Sequence, residues 1–217
     1  MVTRVYIVRH CEAMGNLHGE FQGSTDCDIT EKGERQLQKL SERLKDVHFD
    51  VVYSSPYVRA VKTAKAGIGE DDNEVIICKE IAEINGGAFE GKKWKELPVL
   101  YPEEYDIWLH DFGSFKAPDG ESVSSVYLRL SKAFIKIITE NKGKTIGFFS
   151  HGCSIRALLC FIKGLPVERI SETDWSDNTA ISLVETDESG NMKIIFENDS
   201  SHIENDESTA ACKRHWG

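Results

Sequence analysis

Val5-Tyr6-Ile7-Val8-Arg9-His10 opens on a short run of β-branched and aromatic residues that stops abruptly on two polar, basic side chains. A run of this length and composition reads as a buried strand, and its last residues then present Arg9 and His10 at the strand's carboxyl end. The same pattern recurs twice. Val51 to Tyr53 runs through Ser54-Ser55-Pro56 to Arg59, and Thr145 to Phe149 runs into Ser150-His151-Gly152. Strands that alternate with helical segments predict an α/β protein with a mostly parallel sheet, and in such sheets ligands gather outside the carboxyl ends of the strands.

The helical segments show the complementary period. Leu37, Leu40, Leu44 and Val47 recur at helical spacing, as do Val123, Val126, Leu130, Phe134 and Ile137, and Gly152 to Lys163 reads as a further helix. Ser55-Pro56 supplies a capping residue and a first-turn proline for a helix carrying Arg59 on its first turn. Val75 to Cys78 reads as another strand, and Ala180 to Val184 with Lys193 to Phe196 flank a polar turn at Asp187 to Asn191, which predicts a hairpin. The expectation is a single domain over residues 1–217. Within it, 86–120, rich in Gly, Pro and aromatic residues, forms a cap-like insertion, and 198–217 forms a polar tail ending near an exposed Trp216.

With 36 acidic against 26 basic residues in 217, the formal net charge is -10, and a field of that sign repels nucleic acid and anionic lipid surfaces. No apolar stretch approaches the roughly 18 residues a membrane span requires. The six cysteines, Cys11, Cys27, Cys78, Cys153, Cys160 and Cys212, have no paired spacing and read as reduced thiols in a cytoplasmic protein. The expected partner is a small phosphorylated metabolite. If the three strand ends converge, two arginines and two histidines meet in one place on an otherwise acidic chain, which suits a compact anion such as phosphate. Helix N-termini after Ser55 and Gly152 would add backbone donors. His18, His48, His110, His202 and His215 lack this placement and read as surface or satisfied histidines.

These motifs resemble the histidine phosphatase superfamily, also called phosphoglycerate-mutase-like. The family opens on Arg-His-Gly-Glu followed by Asn, and here Arg9-His10-Cys11-Glu12 is followed by Asn16. Phe21-Gln22-Gly23 with Asp28, Thr30 and Gly33, then Ser54-Ser55-Pro56 with Arg59, Glu83-Ile84 with Gly87, Phe89, Glu90 and Gly91, Gly120-Glu121-Ser122, Ser150-His151-Gly152 and Asn178-Thr179-Ala180 follow in the family's order. The resemblance covers about residues 4 to 185. It implies a three-layer α/β/α sandwich and a phosphohistidine mechanism without metal or cofactor. In that mechanism His10 is the nucleophile and Arg9, Arg59 and His151 hold the phosphoryl oxygens. Asn16, Gln22, Gly23 and Gly152 complete the cradle, and Glu83 is the acid, with Glu80 and Glu90 as rivals. Ile81, Ile84 and Phe89 would place that acid among apolar neighbours. Two departures stand out: Cys11 and Cys153 occupy positions where the family usually or often has glycine, and they read either as small apolar fillers or as a redox-sensitive or metal-trapping pair lining the pocket.

Competing readings are weaker. A cysteine phosphatase needs Arg five residues beyond its His-Cys, and that position holds Leu17. A zinc site from His10, Cys11, His151 and Cys153 lacks the spacing of closed sites. A pseudoenzyme that only binds phosphorylated ligands would share the pocket. Between phosphatase and phosphoglycerate mutase, the residues Ile84 to Gly91 favour the phosphatase branch. The lysines Lys92, Lys93, Lys95 and Lys116 are offset by Glu96, Glu103, Glu104, Asp106 and Asp111.

Overall fold

The structure, a computed structural model, describes residues 1–69, 74–203 and 208. Among these residues six strands form one sheet: β1 (Thr3–Arg9), β2 (Val51–Ser54), β3 (Val75–Ile77), β4 (Thr145–Ser150), β5 (Ile181–Thr186) and β6 (Met192–Asp199), in the spatial order β3-β2-β4-β1-β5-β6. The first four in that order are parallel, and β5 and β6 close one edge as an antiparallel hairpin. The α-helices are α1 (Met14–His18), α2 (Glu31–Leu44), α3 (Val58–Ile68), α4 (Leu97–Leu100), α5 (Pro102–His110), α6 (Val123–Glu140) and α7 (Gly152–Ile162).

Strand alternation sorts the core into two faces. Val5, Ile7, Ile146 and Phe148 pack with Val126, Leu130 and Phe134 of α6 and Ile155, Leu158 and Leu159 of α7. Val8, Val52 and Phe149 point the other way, against Leu40 and Leu44 of α2 and Ala64 of α3. Helices therefore cover both faces, which is the three-layer α/β/α sandwich that the resemblance implies. Among the described residues no helix is long and apolar enough to cross a membrane.

Three boundaries differ from the sequence reading. The helix drawn through Val47 ends at Leu44, and Val47 donates its N–H to the Leu44 carbonyl in the following turn. The third helix begins at Val58 rather than at Pro56, because the carboxylate of Asp26 accepts from the Val58 N–H at 3.0 Å and caps that end from 32 residues upstream. Ser55, freed from capping, turns into the site. Asn198 and Asp199, assigned to the tail, complete β6; Trp216 and most of the tail lie outside the described residues.

Residues 86–120 contain single 3-10 turns at Gly87–Phe89, Trp94–Glu96 and Phe112–Ser114, with α4 and α5 between the last two. Phe89, Leu97, Trp108, Phe112 and Phe115 from this segment join the core on the α6 and α7 side, together with Phe21 from the loop after α1. Strongly apolar anchors at irregular spacing hold the segment down, which is why its sequence shows no helical or strand period.

Candidate active site

The carboxyl ends of β1 and β4 lie side by side, with Arg9 paired to Ser150 in the ladder. A cleft opens at these strand ends, and Arg9, His10, Asn16, Gln22, Glu83 and Gly152 are among its lining residues. Arg59, His151 and Gly23, also expected in the site, do not line it. They are bonded to one another through Arg59, which donates to His151 and to the Gly23 carbonyl, and the ring centroids of His10 and His151 lie 5.0 Å apart.

The His10 ring is fixed from one side. Nδ1 lies 2.6 Å from the carbonyl oxygen of Cys11, an oxygen that can only accept, so Nδ1 carries the proton and Nε2 keeps its lone pair. Burial, then the charges of Arg59 and Arg9, hold the His10 pKa well below the ordinary histidine value, so the ring is neutral at pH 7. The backbone beneath it is clamped by Asn178, whose Nδ2 donates to the His10 carbonyl at 2.7 Å, and by Thr179, whose N–H donates to the Arg9 carbonyl. Thr179 accepts a φ of 57° to make that contact, a left-handed conformation uncommon for a β-branched residue.

His151 has the opposite tautomer. Arg59 Nε donates to its Nδ1 at 3.3 Å, leaving the proton on Nε2, which donates to Ser55 Oγ at 2.7 Å. Burial, then Arg59, lowers its pKa well below the ordinary value. The rest of the Arg59 fork reaches the carbonyls of Thr25 and Gly23, at 2.9 and 2.8 Å. Arg9 donates from Nη1 to the Ser176 carbonyl; burial lowers its pKa to about 10, opposed by Asp177 and Glu83, so it stays cationic at neutral pH.

Folded with two neutral histidines, the protein should lose stability as pH falls below 6.5. The unfolded chain takes up protons there while the folded one does not, so each histidine contributes a slope of about 1.4 kcal/mol per pH unit in that direction. Urea unfolding at pH 6.5 and 5.5 measures it. His151→Gln should flatten the dependence, and identical dependence in the variant would contradict the burial of a neutral ring.

Glu83 sits differently from the expectation of apolar neighbours alone. Its Oε2 accepts from Cys153 N–H and its Oε1 from the N–H groups of Ile84 and Ser154 and from Ser154 Oγ, all at 2.9 to 3.0 Å. The carboxylate thus occupies the N-terminus of α7, as Asp26 occupies that of α3, and most of the backbone donors expected to cradle phosphate are engaged by the chain's own acids. Gly152, before them, lines the cleft. Asn16 has its Oδ1 held by the Ala13 N–H at 3.0 Å, which leaves its NH2 group to donate. Gln22 donates to Cys27 Sγ, while its buried Oε1 has no hydrogen-bond partner.

Gly23 was expected to offer its backbone to the ligand. Its N–H instead donates to Glu90 at 3.2 Å, and a Cβ there would fall 2.1 Å from the Ile84 carbonyl oxygen, so close approach is what requires glycine. Glu90 also accepts from the N–H groups of Ser24, Thr25 and Gly86 and from the hydroxyls of Ser24 and Thr25. Sequence reasoning ranked Glu90 only as a rival acid. The structure makes it the clamp of the loop whose carbonyls hold Arg59. Arg129 plays a similar part for Glu83, donating to the carbonyls of Glu80, Ala82 and Glu83 while paired with Glu121. Replacing Glu90 by Gln should cost about 2 kcal/mol or more of stability, since an amide nitrogen cannot accept those donors. It should also weaken inorganic phosphate about tenfold as Arg59 loses its seat. Calorimetry on the folded variant reads the second effect, and unchanged phosphate affinity would break the link.

The two cysteines part company. Cys11 does not line the cleft; it packs with Ile29 and Leu37, and burial pushes its thiol up to about 12, the opposite of an activated thiolate. The filler reading holds for it. Cys153 does line the cleft, and burial raises its pKa as well. Among the described residues no group of three His, Cys, Asp or Glu side chains is placed to share a metal ion.

Three comparisons bear on this site. The family description "Histidine phosphatase superfamily (branch 1)" matches residues 5–199. Phosphoserine phosphatase 1 of Hydrogenobacter thermophilus is 30% identical over 205 residues, covering 93% of this chain and 95% of that protein. The 2,3-bisphosphoglycerate-dependent phosphoglycerate mutase of Bartonella tribocorum is also 30% identical, over 194 residues, covering 86% of this chain and 93% of that one. Among solved structures, Bacillus stearothermophilus YhfR superposes with a TM-score of 0.88 at 28% identity, covering 93% of this chain and all of that one.

Proposed function

The chain belongs to the histidine phosphatase superfamily, branch 1, and from that premise we propose that it hydrolyses a small phosphomonoester through a phosphohistidine on Nε2 of His10. The observation that carries this reading is the His10 ring itself, neutral, tied down through Nδ1 and turned with its lone pair on Nε2 beside Arg9. In the first step Nε2 attacks phosphorus as the ester P–O bond breaks. Arg9, Arg59 and His151, with the amides of Asn16 and Gln22 and the backbone of Gly152, neutralise the equatorial oxygens. His151 does so by turning its Nε2 proton from Ser55 to the phosphoryl group. Glu83 protonates the departing alcohol, then takes a proton from the water that cleaves the P–N bond and releases inorganic phosphate.

Identity alone does not separate hydrolase from mutase. The cleft does favour hydrolysis: Arg9 is the single arginine or lysine lining it among the described residues, and Lys92, Lys93, Lys95 and Lys116 stay out. A mutase must hold a second anionic group and keep water from its phosphohistidine. We read residues 1–217 as one domain in which 86–120 caps the cleft, a reading supported by Trp94 and Trp108 reaching its lining. A cytoplasmic setting accords with the five described cysteines standing as thiols. Because Arg9 and Arg59 supply the positive charge, turnover should need no metal. Phosphate release from an active monoester should be unchanged by a chelator. Activity lost on chelation and restored by a divalent ion, or conversion of 3-phosphoglycerate to 2-phosphoglycerate with little phosphate release, would overturn the proposal.

A further inference from the structure

On the reading that Glu83 protonates the departing alcohol, we infer that Arg129 of α6, paired with Glu121, is a positioning residue for that acid and so governs the release of poor leaving groups. Glu83 lies in the connection after β3, beyond a single 3-10 turn at Lys79–Ile81. A stretch that is neither strand nor α-helix must find partners for its carbonyls elsewhere. Side chains supply them at four consecutive residues. Arg129 Nη1 donates to the carbonyls of Glu80 at 2.9 Å and Ala82 at 2.8 Å, and its Nη2 to that of Glu83 at 3.1 Å. Ser150 Oγ donates to the Ile81 carbonyl and Ser154 Oγ to that of Ala82, both at 2.7 Å. The acid's backbone is thus pinned by α6, by the end of β4 and by α7, and Arg129 alone serves three of the four residues.

The guanidinium is itself fixed. Its Nε and Nη2 donate to Glu121 Oε1 and Oε2, each at 2.9 Å, a two-pronged pairing that sets its plane. Glu121 Oε2 also accepts from the Asn85 N–H at 2.9 Å, and the Glu121 N–H donates to the Asn85 carbonyl at 2.8 Å. Asn85 and Glu121 flank the segment 86–120, so its two roots are tied to each other and, through Arg129, to the acid. Arg129 does not line the cleft, and none of its hydrogen bonds goes to Arg9, His10, Arg59 or His151. It therefore acts through Glu83 and not on the phosphoryl group. Proton transfer works only over hydrogen-bond distance, and a misplacement of about 1 Å can cost on the order of 100-fold. Releasing the carbonyls of Ala82 and Glu83 should then impair protonation of the leaving oxygen and spare phosphate binding.

The test measures single-turnover phosphorylation of the full chain by glycerol 1-phosphate and by 4-nitrophenyl phosphate in Arg129→Met, Arg129→Lys and Glu83→Gln, with inorganic phosphate affinity read by calorimetry. Arg129→Met should slow the alkyl ester by about tenfold or more and the aryl ester by less than about threefold, with phosphate affinity unchanged. Arg129→Lys keeps the charge but not the planar fork, and should fall between Arg129→Met and the unaltered protein. A role in stability alone would lower the folded fraction and slow both esters equally. Equal slowing in Arg129→Met overturns the inference, as does an unmoved alkyl to aryl ratio in Arg129→Lys where Arg129→Met does not fold. If Glu83→Gln moves that ratio and neither Arg129 variant does, the inference falls alone. If Glu83→Gln fails to move it, the acid's role falls and the inference with it, and no phosphorylation of the unaltered protein by either ester removes the phosphatase reading itself.

Discussion

His10→Ala should abolish turnover, with a loss on the order of 10⁴-fold or more, and should leave no phosphoenzyme that is labile to acid and stable to alkali. The reason is geometric. With Nδ1 committed to the Cys11 carbonyl, Nε2 of His10 is the nucleophilic nitrogen at the cleft among the described residues, since His151 carries its Nε2 proton toward Ser55 and its Nδ1 accepts from Arg59. His151 lies only 5.0 Å away between ring centroids, so the experiment discriminates between the two rings. Acid-quenched enzyme incubated with a ³²P-labelled ester reads the intermediate directly. Robust phosphoenzyme in the variant would move the nucleophile to another residue.

Glu83→Gln should separate substrates by leaving group. An alkoxide leaves poorly unless protonated, so phosphorylation by alkyl esters should slow by about 10² to 10⁴, whereas aryl esters, whose alcohols leave as weak bases, should slow far less. The substitution carries a structural cost as well. One end of the amide becomes a donor facing the N–H groups of Cys153 or Ser154 at the start of α7. Retained affinity for inorganic phosphate shows that the pocket survives. Equal loss for both ester classes in a variant that still binds phosphate would remove Glu83 from the acid's role and leave it as the carboxylate that caps α7.

The positions of the key side chains were open to sequence reading because each depends on a short-range pattern. Short apolar runs rich in β-branched and aromatic residues mark the strands, and the residues after them fall at the carboxyl edge of the sheet; β1 ends at Arg9, and His151 follows β4. A period near 3.6 marks α2 and α6, and the alternation of the two fixes the layered class. The failures share a cause. Ser55 reads as a cap for the helix that follows because capping is local, yet Asp26, distant in sequence, takes the position and releases Ser55 to His151. Gly23 reads as a ligand-binding backbone until Glu90, 67 residues away, arrives on its N–H.

What the sequence by itself determined is the layered α/β fold, the strand ends that carry Arg9, His10 and His151, and the class of anion they suit. Tertiary structure alone decided the rest. The tautomers of His10 and His151 follow from a carbonyl and a guanidinium brought to particular ring nitrogens. Cys11 became a filler because Ile29 and Leu37 close over it. The lining of the cleft joins Phe21, Trp94, Trp108 and Trp175 across three segments with no common period. Periodicity reports which face of an element is buried, and so carries the fold. Hydrogen-bond partners and cleft linings depend on which elements meet, and only the packed chain brings residues distant in sequence to within about 3 Å of one another.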